Sequence, residues 1–162
     1  MKGLGYKADT VDARDYKYGA SASPDLPSEL FTAPDLSSYV GRVRDQGSTS
    51  SCVGQALAAA IEITSLARDG APLHASAQWL YAIAREAEGK STIPDDGSYP
   101  RLAMQAANLR GVLPERSFPF SEEAITERPS PSASVSAYDL RGLRFYRIDS
   151  VGIERVEALD DA

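Results

Sequence analysis

Val53, Leu57, Ala60 and Ile61 recur at the three- and four-residue spacing of one helical face, which predicts a helix over about 51–68 with Ser50 or Ser51 as its N-cap. A second helix is expected over about 77–88, with Trp79, Leu80, Ile83, Ala84 and Ala87 inward. A third is expected over about 99–110, with Leu102, Ala106 and Leu109 inward and Gly111 as its stop. Beyond the aromatic turn at Phe118-Pro119-Phe120, Ser121 to Ile125 reads as a short capped helix that ends at Pro129-Ser130-Pro131. Residues 143–148 alternate as a strand, and Ile153 to Leu159 begins another helix. Residues 1–35 show little periodicity and many Asp, Ser and Pro; they read as an extended arm on the domain surface, of a kind able to cover a cleft.

Composition narrows what such a chain does. With 162 residues and 43% apolar content, a single domain can bury a sizeable core without disulfides. The net charge of −6 argues against nucleic acid or an anionic membrane surface as partner. Arg42 and Arg44 are too few for a basic patch. The first nine residues contain no secretory apolar run, and the longest apolar run, Ala56 to Ile61, is too short to span a bilayer, so the expected address is the cytoplasm. One Cys and one His leave no basis for a disulfide or a zinc site, and no phosphate-binding loop is present; no metal and no cofactor is expected.

The chemistry concentrates at Cys52, the first residue of the predicted helix and the only cysteine. A helix N-terminus favours the thiolate, which is the attacking species, but its dipole contributes only about 0.3–1 kcal/mol, less than one pKa unit. An active thiolate also needs an imidazolium partner. Six residues earlier, Gln46 offers a side-chain amide that, with the Cys52 backbone amide, would form an oxyanion hole. Taken singly, a buried Cys, a turn Gln and a Gly-Ser helix start are each ordinary structural features. The adjacent acids Asp95-Asp96, Glu122-Glu123 and Asp160-Asp161 read as solvated surface, because sequence neighbours splay apart.

Together, Gln46-Gly47-Ser48-Thr49-Ser50-Ser51-Cys52 resembles the nucleophile segment of the papain-like cysteine peptidases, in a prokaryotic or phage-type branch. Thr49 stands where that family has a disulfide cysteine, and Val53 where it has an aromatic residue. The resemblance continues through Asp12 to Tyr16, Leu26-Pro27-Ser28 and Asp35-Leu36-Ser37 in the lead-in. Ser76-Ala77-Gln78 then matches the start of the second helix, and Gly97-Ser98-Tyr99-Pro100 the Gly-Gly-Tyr-Pro loop. It implies an α+β papain-like fold, present as the helical domain plus the beginning of the β domain, with Cys52 as nucleophile, Gln46 as oxyanion donor, and Gly97, Ser98 and Pro100 as substrate-binding cleft wall. The organisation it suggests is an arm over 1–35, a helical domain over 36–128, and a Pro/Ser linker, strand and helix start over 129–162.

The family's His and Asn lie about 130–150 residues after the nucleophile, and only 110 residues follow Cys52. The sole histidine, His74, precedes the second helix, where the family's fold packs it away from the cleft. The chain is therefore expected to be the N-terminal half of a cysteine endopeptidase, inactive in isolation, with a peptide or protein substrate and either a complementary C-terminal half or a second copy of itself as partner. The alternative is a non-catalytic descendant acting as a peptide- or partner-binding module. A helical domain unrelated to peptidases is the third reading.

Overall fold

The computed structural model describes residues 5–13, 35–89 and 93–137. One compact unit comprises residues 1–9 and 35–143; a second grouping, 10–34 and 144–162, falls almost wholly outside the described residues. The expected strand over 143–148 and the helix at 153–159 also lie outside them.

Three helices build the unit: α1, Cys52–Asp69; α2, Ala77–Ala87; and α3, Pro100–Arg110. Short 3₁₀ turns occur at Ser37–Tyr39 and Pro131–Ser136. Glycine and serine punctuate the helices, Gly111 as expected. Gly70 takes a left-handed conformation and returns its amide to the Leu66 carbonyl, while Gly111 does the same to Ala107. Ser76 caps α2 by accepting from the Trp79 amide at 3.0 Å.

Helix α2 is the centre of the unit, and every residue from Ala77 to Arg85 is buried. It lies between α1 and α3, so apolar residues on all its faces are covered. Burial of Trp79, Leu80 and Ile83 is worth about 1.5–3 kcal/mol for each side chain. Gly54 lets α1 approach closely, since a Cβ there would come within 2.5 Å of the Ala77 carbonyl oxygen. The indole of Trp79 donates to the Gly111 carbonyl at 2.9 Å and meets Phe118 edge to face.

Several expected faces shift. On α3 the buried positions are Ala103, Ala106 and Ala107, and Leu109 is 86% exposed. Small residues let α3 approach α2, and the next position on that face is Arg110, whose guanidinium lies over Trp79 at 5.1 Å. Ala60 and Ala87 are likewise exposed. Ser121 to Ile125 forms successive turns in place of a helix, because Gln78 takes its backbone groups: Gln78 Oε1 accepts from the Ser121 amide at 2.6 Å, and Nε2 donates to the Ala124 carbonyl at 3.0 Å.

Isolated β-bridges pair Ala75 with Pro114 and Tyr6 with Ser98. No described helix is long and apolar enough to cross a membrane.

Candidate active site

Cys52 opens α1, where the first amides have no intrahelical acceptor. The turn leading to it is closed by its own polar groups. The Thr49 amide and hydroxyl both donate to the Gln46 carbonyl, at 3.2 and 2.8 Å. Because the Thr49 proton is thereby committed, Ser51 donates its hydroxyl to Thr49 Oγ1 at 2.7 Å. Ser51 thus occupies the N-cap position without making the expected side-chain cap bond. Gln46 Nε2 donates to the Thr49 carbonyl at 2.7 Å, which fixes its side chain in the turn and leaves one amide hydrogen for another acceptor.

Two carboxylates from distant segments hold this turn from outside. Glu122 accepts from the Ser48 amide at 2.8 Å and from its hydroxyl at 2.6 Å. Asp95 accepts from the Ser50 amide, at 2.9 Å on Oδ1 and 3.1 Å on Oδ2. Both belong to acid pairs expected to be solvated surface. Glu122 is exposed, but Asp95 is half-buried and also accepts from the Tyr81 hydroxyl at 2.8 Å. Spacing in the sequence carries no signal for either contact.

The thiol of Cys52 is half-buried beside an apolar cavity of about 370 Å³, whose walls include Tyr6, Val53, Leu57, Pro100 and Met104. Burial pushes its pKa up, and the backbone amides of Val53 and Cys52 draw it down less strongly. No cation figures among these influences. The slight depression expected from the helix terminus alone is therefore reversed by desolvation.

Gly97 and Ser98 form the opposite side. Gly97 has φ of 84° and donates its amide to the Tyr81 hydroxyl at 3.0 Å. A Cβ at Gly97 would overlap the Gly5 carbonyl oxygen, so only glycine lets segment 5–7 come this close. Ser98 pairs in parallel with Tyr6: its amide donates to the Gly5 carbonyl at 2.8 Å, and its carbonyl accepts from the Lys7 amide at 3.0 Å. The Ser98 side chain is fully buried with its hydroxyl unpartnered, so the serine turns inward and leaves its backbone edge open to an extended segment. Lys7 then pairs with Glu88 at 3.0 Å and Asp96 at 3.2 Å, and Asp9 accepts from the Arg101 amide at 3.3 Å in the first turn of α3. Pro100, also in that first turn, lines the cavity shared with Cys52.

Under this loop lies Arg85, 1% exposed. Its guanidinium donates to the carbonyls of Ile93, Pro94 and Ile125 at 2.6–3.0 Å and stacks on the Tyr81 ring at 3.8 Å. Desolvation lowers its pKa, with Tyr81, Asp95, Asp96 and Glu88 opposing that shift.

His74 is elsewhere. Its Nδ1 lies 3.4 Å from Glu62, which also binds Arg44 at 2.5 Å. Glu62 is ten positions beyond Cys52 on α1, about 15 Å at about 1.5 Å per residue. The structure thus gathers Cys52, Gln46, Gly97, Ser98 and Pro100 at one end of the helices and keeps the only imidazole away from them.

No family model and no curated protein sequence matches the chain. Among solved structures it is similar to xylellain, a cysteine protease from Xylella fastidiosa, with a TM-score of 0.76 and 26% identity. The match covers 91% of this chain and 59% of that one, so the chain spans about three-fifths of the relative's length. The resemblance to the papain-like cysteine peptidases read from the nucleophile segment therefore holds in three dimensions, through the helical part of that fold.

Proposed function

We propose that this chain carries the nucleophile and the peptide-binding edge of a papain-like cysteine peptidase, with Cys52 attacking the scissile carbonyl. The observation that carries the reading is the placement of Cys52 at the head of α1, beside the cavity bounded by Tyr6 and Pro100, with the Ser98 edge already paired to an extended segment by two backbone bonds. That pairing supports recognition of a peptide through its main chain.

In this reading the thiol passes its proton to an imidazole, and Sγ adds to the carbonyl carbon. The resulting oxyanion accepts from the Cys52 amide and from the second amide hydrogen of Gln46. Collapse expels the amine, protonated by the imidazolium, and water then hydrolyses the thioester. The single histidine of the sequence lies near Glu62 and away from Cys52, so in this reading the imidazole is supplied by a complementing polypeptide. The chain by itself hydrolyses peptides slowly or not at all, since members of a catalytic unit act non-additively.

The test is complementation with a β-rich polypeptide bearing the His and Asn, assayed on a fluorogenic peptide. Activity is expected to appear on mixing, to vanish with Cys52→Ala, and to fall about 10²–10³-fold with Gln46→Ala. Hydrolysis that survives Cys52→Ala would sink the assignment. A second reading, a binding module without catalysis, draws on the upward-shifted thiol and the segment seated on the Ser98 edge. It predicts peptide binding at that edge and no turnover with any complementing chain.

A further inference from the structure

The groups that join the thiol turn to the peptide edge form one chain of hydrogen bonds whose directions are all determined. The Ser50 amide can only donate, and it donates to Asp95. The Gly97 amide can only donate, and it donates to the Tyr81 hydroxyl. Tyr81 is buried, and desolvation together with Asp95 pushes its pKa far up, so the phenol keeps its proton and gives it to Asp95 Oδ1. The sequence of bonds is therefore Ser50 N–H to Asp95, Tyr81 O–H to Asp95, and Gly97 N–H to Tyr81. Asp95 Oδ1 is the shared acceptor on which the Ser50 and Tyr81 bonds converge, and only the Gly97-to-Tyr81-to-Asp95 bonds run in series and polarise in the same sense. Arg85 holds the carbonyls of Ile93 and Pro94, the two residues before Asp95, so the carboxylate is delivered from a backbone with little freedom.

We infer that Asp95 is a positioning residue for Cys52: through Ser50 on one side and Tyr81 on the other, it sets the thiol-bearing turn and the Gly97–Ser98 edge in a single register. Asp95 touches neither a substrate nor the thiol. Its effect is to fix the separation between the attacking sulfur and a peptide backbone seated at Ser98, which is where misplacement by about 1 Å can cost about 10²-fold in rate. The catalytic meaning rests on the peptidase reading above; the mechanical coupling does not. The same coupling ties segment 5–7, which occupies the Ser98 edge here, to the order of a turn on the far side of Asp95.

Amide hydrogen exchange and Cys52 alkylation by iodoacetamide test this on the intact chain, with the Leu80 amide in α2 as control for global stability. In Asp95→Ala, exchange at Ser50 and Gly97 should rise at least tenfold more than at Leu80, and exchange at Ser98 and Lys7, which Asp95 does not touch, should rise with them. Alkylation of Cys52 should accelerate severalfold, and any movement of its apparent pKa should be downward, because opening the turn makes the sulfur more accessible and relieves the burial that holds the pKa up. Tyr81→Phe should raise exchange at Ser50 although Ser50 donates to Asp95 and not to Tyr81. Asp95→Asn can keep Oδ1 as acceptor for both donors and should restore most of the wild-type behaviour. If Asn behaves like Ala, or the alkylation pKa moves while exchange does not, Asp95 acts through its charge and the positioning role is overturned. Unchanged exchange at Ser50 in Tyr81→Phe would overturn it equally. A chain that shows the coupling yet cleaves no peptide under any complementation would sink the peptidase reading alone.

Discussion

The two ends of α1's functional stretch are built on opposite electrostatic plans. At Glu62 a buried carboxylate meets Arg44, whose side chain is 7% exposed, and His74 and Glu115 stand close by. Arg44 also donates to the Ala75 carbonyl at 3.1 Å, so this cluster straps the lead-in segment and the approach to α2 onto α1. At Cys52 the thiol meets amides, hydroxyls and apolar carbons, the Asp95 and Glu122 carboxylates bind the preceding turn through its amides and a serine hydroxyl, and no cation offsets the burial of the thiol. Opposite charges paired with each other thus secure the scaffold at one end, while at the other the carboxylates bind neutral donors and the reactive atom has no cation beside it. A thiol in that setting is positioned before it is activated, and activation depends on an imidazolium brought to it.

The comparison breaks most visibly at Glu62. Glu62→Ala leaves the Arg44 guanidinium buried without its close partner, and removing one member of such a pair costs about 3–5 kcal/mol. A fall in urea midpoint of that size is expected. Once folded, the variant should still alkylate at Cys52 at the wild-type rate. A loss below about 1 kcal/mol would show that the cluster is solvated and does not act as a strap.

At the other end, Gly97→Ala forces a left-handed φ on alanine and drives its Cβ into the Gly5 carbonyl. The expected cost is about 1–3 kcal/mol, borne locally by separation of segment 5–7 from Ser98. Faster exchange of the Ser98 and Lys7 amides, with the α2 core unchanged, would confirm that the loss is confined there. A global loss of stability would instead make that pairing part of the core.

The neutral character of the Cys52 end is sharpened by its titration. Because burial raises the folded-state pKa, the iodoacetamide rate should still be climbing where the same chain unfolded in urea has levelled off. The sign for stability follows: a folded pKa above the unfolded one contributes stability that is present below the unfolded value and lost as pH rises through the folded one. The thiol is partly exposed, so this slope is small. An inflection near about 4, the range of imidazolium-paired thiolates, would show that a cation reaches Cys52 after all.

How much of this was legible beforehand differs between the same two regions. The end of α3 followed from Gly111, because a capping residue acts locally and leaves a local mark. The Gln46-to-Cys52 segment was legible for the same reason, as a turn and helix start contiguous in sequence. Asp95 was not, since its partners Ser50 and Tyr81 are far from it along the chain and an acid in a loop looks the same whether it is solvated or clamping an amide. Nor was the exposure of Leu109: it is the more apolar residue, yet the buried face of α3 is Ala103, Ala106 and Ala107, with the Arg110 guanidinium over Trp79, and Leu109 is left in solvent. Ser121 to Ile125 carried a genuine capping pattern that Gln78, a tertiary neighbour, overrode.

The smallest expected effect is that of His74→Ala, and it separates the two ends most cleanly. The imidazole is 65% exposed and reaches Glu62 only at 3.4 Å, beside an Arg44 that already satisfies the same carboxylate oxygen. An exposed side chain in that position contributes within about 0.5 kcal/mol to stability. Its neighbour Glu62 is about 15 Å along α1 from Cys52, beyond any direct proton transfer. Alkylation of Cys52 and hydrolysis by the complemented protein should therefore both be unchanged in the variant. If hydrolysis is abolished while the urea midpoint holds, His74 must move to Cys52 in the working assembly. The division of α1 into a charged scaffold end and a neutral reactive end would then fail.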